Sequence, residues 1–196
     1  YTQAIPKNAG SDAAQGKSED LALLGQQVVR MNEIVQHQLQ RAVQVGPQAM
    51  NKALLVLPLV ERMKVIIQKV YLESVHNIAV NIEPTVLFKG DEGDLMEVLG
   101  NLMDNAGKYG HGKVMISAQN VQVAQLLRCR ITVEDNGEGI PTDMAEEMLQ
   151  RGVRADQKYQ GQGIGLAMVV DIVDQYQGRL NIEASDMGGA KIEVLI

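Results

Sequence analysis

EVLGNLMDNAGKY, residues 97–109, is the stretch whose reading decides the fold. Leu95, Val98, Leu99, Leu102, Met103 and Ala106 recur at helical spacing and make one apolar face. Glu97, Asn101, Asn105 and Lys108 follow one another at steps of four, four and three, so they stack as a polar stripe along the same helix. Asparagine is a poor choice for a helix interior, because its amide competes for backbone groups. Two asparagines in register, closed by Lys108-Tyr109, point to a task. An amide oxygen suits a hard cation, and an ammonium suits a phosphate. An ordinary amphipathic helix is the plain alternative for this stretch alone. Asp91 is the expected N-terminal cap, and Gly110 and Gly112 end the helix.

Working outward toward the C-terminus, Val114, Ile116 and Ala118 alternate, as do Cys129, Ile131 and Val133. These predict two strands joined by a loop around Asn120–Gln125. The second strand runs into Glu134-Asp135-Asn136-Gly137-Glu138-Gly139-Ile140. A carboxylate at a strand end, followed by glycines that let the chain turn, can meet a flat ligand against the main chain. Asp135 can accept a hydrogen bond from an exocyclic amine such as that of adenine, although an Asp-Asn-Gly turn is also common with no ligand. Arg151, Arg154 and Lys158 make residues 150–160 basic within a chain of net charge −6, a loop suited to covering phosphates. Gly161-Gln162-Gly163-Ile164-Gly165-Leu166 then opens an apolar helix that runs through Tyr176, with Gly178 as its C-terminal stop. The glycine spacing is not that of a dinucleotide fingerprint, and Tyr109 stands where a Walker A motif needs Ser or Thr. Leu180, Ile182 and Ala184, then Ile192, Val194 and Ile196, predict a closing hairpin.

Toward the N-terminus, Ala53–Leu57 reads as a strand, and Leu59, Met63, Ile66, Ile67 and Val70 as a helix after Pro58. Ile78, Val80 and Ile82 predict a strand, and Val86–Phe88 a second short one. Gly46-Pro47 makes a hinge, assigned to residues 46–52. Before it, Leu21, Leu24, Val28, Met31, Val35 and Ala42 form a narrow seam on a long helix capped by Ser18. Such a seam needs a partner, either a helix preceding this one or a second copy of the chain. His37 lies on this helix with no acidic neighbour after it, and reads as a flanking rather than a nucleophilic imidazole. The strands cluster after the helices, so the expected fold is α+β: one mixed sheet with helices on one face.

Composition narrows the function. The net charge argues against a general nucleic-acid binder, and no apolar run is long enough to span a membrane. One cysteine excludes an internal disulfide, and His37, His76 and His111 are too scattered for a metal cluster.

Four signals stand in order: Asn-x3-Asn-x2-Lys-Tyr, Asp-x-Gly-x-Gly-Ile, a basic loop, and Gly-x-Gly-x-Gly-Leu. With them the chain resembles the ATP-binding catalytic domain of the sensor histidine kinases of two-component systems. That domain belongs to the wider GHKL superfamily shared with Hsp90, DNA gyrase and MutL. Arg151-Gly152-x-Arg154, Gly161–Ala167 and Gly188-Gly189-Ala190 are most similar to PhoQ-type kinases. The resemblance covers residues 18–196 and implies the Bergerat ATP-binding fold, a two-layer α/β sandwich, over residues 53–196. Residues 1–45 would be the C-terminal part of the dimerisation and histidine phosphotransfer hairpin.

The resemblance also implies roles. Asn105 would coordinate Mg²⁺ on the phosphates of ATP, with Asn101 assisting. Lys108 would contact phosphate and Tyr109 would lie against the nucleotide. Asp135 would take the adenine amine, with Gly137, Gly139 and Ile140 shaping its turn. Gly161, Gly163, Gly165 and Leu166 would complete the nucleotide site, and Arg151 or Arg154 would reach the γ-phosphate. Chemistry would be phosphoryl transfer to a histidine outside this chain, with a response regulator as downstream partner and a homodimer formed through the helical segment. The chain would be the cytoplasmic portion of an inner-membrane sensor, itself touching neither membrane nor nucleic acid.

Two departures stand out. The family's phosphoacceptor motif is absent, so autophosphorylation is not expected from this chain. The lid's usual phenylalanine is replaced by Met148 or Leu149. A GHKL-type ATP hydrolase is one alternative, but those enzymes place a glutamate as general base where this chain has Asn101, whose amide takes no proton at neutral pH. Strong hydrolysis lost with Glu97→Gln would favour it. A non-catalytic dimerisation or adaptor module is the other, and it would bind no ATP.

Overall fold

A computed structural model divides the chain into two units, Tyr1–Pro47 and Gln48–Ile196. The structure describes residues 52–72, 74–141, 144, 145 and 164–196, all in the second unit. The long helix expected from Ser18, His37, the hinge at Gly46-Pro47 and the basic loop of residues 150–160 lie outside the described residues.

In chain order the elements are β1 (Ala53–Leu55), α1 (Val56–Val70), β2 (Asn77–Ile82), β3 (Leu87–Lys89), α2 (Glu92–Tyr109), β4 (Lys113–Val123), β5 (Leu126–Asp135), α3 (Ile164–Gln175), β6 (Arg179–Ala184) and β7 (Ala190–Leu195). Five strands form one mixed sheet in the order β2-β4-β5-β7-β6. Only the β2–β4 pair is parallel (Ile78 opposite Val114), and α2 lies in the crossover between them, as a parallel pair requires. Along the sheet the alternation is clean. Ile78, Ile82, Val114, Ile116, Ile131, Val133, Ile192 and Val194 are buried, whereas Asn81, Gln119, Asn181 and Glu183 on the other face are exposed. The three helices therefore cover one face. Phe88, Leu95, Leu99, Leu102 and Met103 are almost wholly enclosed between α2 and its neighbours. Each such side chain contributes about 1.5–3 kcal/mol of transfer free energy.

The strand expected over Ala53–Leu57 ends at Leu55, because α1 already starts at Val56 and takes Pro58 into its first turn, where no amide donor is needed. Three further local expectations change. First, Val86–Phe88 does not join the main sheet: β3 pairs with β1 in a separate two-stranded ribbon, Leu54 opposite Phe88. The Asn120 side chain docks that ribbon. Its Oδ1 accepts from Leu87 N at 2.9 Å and its Nδ2 donates to Leu87 O at 2.7 Å, so one amide stands in for a strand. Second, Asn120–Val123 is strand rather than loop, because β4 and β5 pair until Val123 meets Leu126. The turn is then only Ala124-Gln125, both left-handed with φ of 45° and 69°. Third, at the end of α3 the left-handed residue is Gln177 (φ 51°), not Gly178. Gly178 is needed for close approach instead, since a methyl there would overlap Leu195 O.

A two-residue hairpin turn with both positions left-handed favours glycine at the second. Gln125→Gly is expected to stabilise the domain by about 1 kcal/mol, read as a rise of a few degrees in Tm. An unchanged or lower Tm would mean that the turn does not hold this conformation. Cys129 is sealed in the core beside this hairpin, and burial pushes its thiol up to about 12. It is an inert core residue rather than a reactive one.

Candidate functional site

Asp135 ends β5 at a position that alternation assigns to the core face, since it pairs with Val114 and follows Ile131 and Val133. A carboxylate is thus carried under the helical layer, where only 7% of it stays exposed. Burial of a charge is tolerated only with hydrogen bonds. Oδ1 accepts from Gly137 N at 2.8 Å and from Ala190 N at 3.2 Å, which fixes the plane of the carboxylate.

The turn after Asp135 is packed against the end of α2. A methyl on Gly137 would overlap Tyr109 O, and one on Gly189 would overlap both Asp135 Oδ1 and Gly137 N. Gly139 has φ of +77° and lies against Gly189. Asn136 ties the turn to the α2–β4 connection. Its Oδ1 accepts from His111 N (3.1 Å) and Lys113 N (2.9 Å), while its Nδ2 donates to His111 O (3.2 Å). The consecutive residues Asp135, Asn136 and Gly137 therefore each contact a different part of the chain.

Helix α2 brings the other wall. Asp91 caps it, with Oδ1 accepting from Gly93 N at 2.8 Å and Asp94 N at 3.3 Å. Its last turn ends at Gly110, whose amide donates to Ala106 O. The Lys108 ammonium sits 5.2 Å from the centroid of the Tyr109 ring, within cation–π range, and both side chains are exposed.

These pieces surround a cavity of about 450 Å³. Among the described residues, Leu102, Ala106, Val133, Ile140, Leu166 and Ile192 give it apolar walls, and Asp135 lies in its lining. Asn105, Lys108 and Tyr109 line it from α2 and Gly139 from the turn. An apolar slot with a few fixed polar groups is the usual form of a small-molecule site. Of the residues singled out in the sequence, Asn105, Lys108, Tyr109, Asp135, Gly139, Ile140 and Leu166 thus meet around one space. Gly137 stands behind it, and Gly165 and Asn101 are not in its lining. The Asn101 amide nitrogen donates to Glu97 O at 2.8 Å, one turn back on its own helix. Arg151, Arg154, Gly161 and Gly163 lie outside the described residues.

Sequence reasoning did not single out His111, Glu138, Met144 or Ile192, which also line the cavity. Gly188-Gly189 entered only as part of the resemblance and was given no role, whereas Gly189 backs the buried carboxylate. The signal was present: a second glycine in a turn that needs only one with φ above zero, here Gly188 at +104°.

Residues 90–196 match the family described as histidine kinase-, DNA gyrase B-, and HSP90-like ATPase. The sensor protein PhoQ of Escherichia coli K12 is 36% identical over 171 residues, 87% of this chain and 34% of that protein. The two-component sensor PhoQ of Pseudomonas aeruginosa is 32% identical over 189 residues, 95% of this chain and 41% of that protein. The chain therefore spans about a third to two-fifths of the length of these relatives. Among solved structures, the catalytic domain of histidine kinase ThkA is similar with a TM-score of 0.63 at 19% identity, covering 74% of this chain and 93% of that one. Full-length ShkA in complex with AMPPNP also gives 0.63, at 22% identity, covering 99% of this chain and 39% of that one. At these identities the solved structures speak for the fold.

Proposed function

Because the chain belongs to the histidine kinase-, DNA gyrase B- and HSP90-like ATPase family, we propose that it is the ATP-binding catalytic part of a two-component sensor kinase, passing the γ-phosphoryl group of ATP to a histidine outside this sequence. The observation that carries this reading is Asp135, a buried carboxylate pinned by two backbone amides in the lining of an apolar cavity. An adenine ring would fill the slot between Ile140, Leu166 and Ala106, with its amine donating to Asp135. Tyr109 would cover the ring, and Gly137, Gly139, Gly161, Gly163 and Gly165 would let the main chain approach the nucleotide.

The phosphates would then lie toward Asn105 and Lys108. Mg²⁺ binds through few protein oxygens and completes its shell with phosphate oxygens and water. One amide oxygen from Asn105 fits that habit, and no group of three or more His, Cys, Asp or Glu that could hold a metal occurs among the described residues. When bound, the metal neutralises charge on the phosphates. Lys108 and Arg151 or Arg154 would stabilise the transferred group, and Asn101 would support Asn105 from the preceding turn. The relatives' names and the seam on residues 18–45 support the rest of the assignment. Residues 1–45 would contribute to a dimerising helical hairpin, residues 46–52 would act as a hinge, and a response regulator would receive the phosphoryl group. Among the described residues no helix is long and apolar enough to cross a membrane. The chain would be the cytoplasmic portion of an inner-membrane sensor.

Calorimetric titration with a non-hydrolysable ATP analogue tests the site. Saturable binding is expected, tightened by Mg²⁺. In Asn105→Ala the Mg²⁺-dependent gain, about tenfold, is expected to vanish while metal-free binding stays as in the wild type. No binding by well-folded wild-type protein would overturn the reading in favour of an adaptor module.

A further inference from the structure

Tyr176 follows the last residue of α3, and the apolar pattern of that helix gives it no role beyond packing. Its hydroxyl nevertheless makes two polar contacts at the far end of α2. It donates to Asp94 Oδ2 at 2.8 Å and accepts from Asp91 N at 3.0 Å. The ring packs against Phe88, with centroids 5.3 Å apart at 57°. Gly90 leaves room for both rings: a methyl there would overlap Phe88 and come within 2.6 Å of the Tyr176 ring. The main-chain oxygen of Tyr176 accepts from Arg128 Nη1 at 2.6 Å. Asp94 is only 4% exposed, a deep position for a helical carboxylate. Tyr176, half-buried, is thus held at its ring, its hydroxyl and its main-chain oxygen, and burial pushes its phenol well above the ordinary tyrosine range, so it remains a donor throughout the working pH range.

The geometry links this clasp to the cavity. Helices α2 and α3 run antiparallel, joined at one end by Tyr176 and Asp94 and lining the cavity at the other. From Tyr176 back to Leu166 is ten residues, and from Asp94 on to Asn105 is eleven. At 1.5 Å per residue the two arms measure about 15 and 16.5 Å, so one clasp brings Leu166 and Asn105 to the same level. Apolar ridges alone permit a slip along the helix pair, whereas a hydrogen-bonded pair at one end does not. We propose that Tyr176 is a positioning residue for the nucleotide site: its hydroxyl, held by Asp94 and the Asp91 amide, sets the register of α3 on α2 and thereby the spacing of Leu166 from Asn105 across the cavity. The inference rests on the nucleotide reading above and adds to it a residue remote from the ligand.

The test compares binding of the non-hydrolysable ATP analogue with Tm across four proteins besides wild type. Tyr176→Phe keeps the ring and removes the hydroxyl. It is expected to weaken the analogue about three- to tenfold, and removal of the acceptor in Asp94→Ala should do the same. Asp94→Asn retains an oxygen acceptor and is expected to bind within about twofold of wild type. Ile78→Ala opens a void on the edge strand β2, and should lower Tm while leaving affinity unchanged. Wild-type affinity in Tyr176→Phe overturns the proposal. So does an equal loss of affinity in Ile78→Ala, because the effect would then be general softening. If Tyr176→Phe fails to fold, the Asp94 pair decides: a loss in Asp94→Ala with retention in Asp94→Asn supports the clasp, and equal behaviour of the two overturns it. A wild type that does not bind the analogue overturns the functional reading, and this inference with it.

Discussion

Gly189→Ala is expected to abolish nucleotide binding and to destabilise the domain by about 3 kcal/mol. The added methyl would occupy the space of Asp135 Oδ1 and Gly137 N and lie 2.6 Å from Asp135 O. None of these is the far end of a flexible side chain. Two are main-chain atoms, and the third is held by Gly137 N and Ala190 N. Relief therefore requires moving β7 off β5 or breaking the hydrogen bonds of the buried carboxylate. Gly188→Ala is the control. Nothing lies within 4 Å of a methyl there, and its φ of +104° alone makes the change unfavourable, by on the order of 1 kcal/mol. Denaturant melts of the two variants, with analogue titrations beside them, check the contrast. Equal stabilities would mean that the turn is softer than its packing implies.

The second large effect separates folding from binding at Asp135. Asp135→Ala strands two amide donors, Gly137 N and Ala190 N, in a buried site and is expected to cost about 2–5 kcal/mol of stability. Asp135→Asn keeps an oxygen for those donors and should fold nearly as well as wild type. Its NH₂ would then face the donor amine of adenine, donor against donor. Affinity for the ATP analogue should fall roughly 100-fold or more. A purine triphosphate lacking the exocyclic amine removes that conflict, so the wild type and Asp135→Asn should bind it with similar affinity. If Asp135→Asn binds ATP and the amine-free analogue as wild type does, the carboxylate has no part in base recognition.

Much of this was legible in the sequence, for physical reasons that differ by element. Helix α2 announces itself through its cap at Asp91 and a six-residue apolar face, all of it buried. The position of Asp135 followed from simple alternation along β5, which sends every second residue inward whether apolar or not. Long-range pairings were less legible. A three-residue strand such as β3 carries too little alternation to say which partner it takes, and the side chain that hydrogen-bonds to its backbone is an asparagine 33 residues away. The extent of the β4–β5 hairpin was hidden because its turn uses Ala124-Gln125, residues with no turn preference, where Asn-Gly would have been readable. Tyr176 was counted as one more apolar residue at the end of α3. A hydroxyl's partner on another helix leaves no mark in the periodicity of its own.

The sheet order β2-β4-β5-β7-β6 has a consequence for how this domain is made. β7 follows β6 along the chain, yet it lies between β6 and β5 and supplies the amide of Ala190 that holds Asp135. During synthesis β6 has no partner in the sheet until residues 190–195 have emerged from the ribosome. Until then the nascent domain presents an unpaired β5 edge, a template for aggregation that chaperones would have to shield. On the nucleotide-binding reading proposed above, a chain cut short before residue 190 would lack the amide that holds Asp135 and would not bind ATP, so no partly made product would act in place of the finished one.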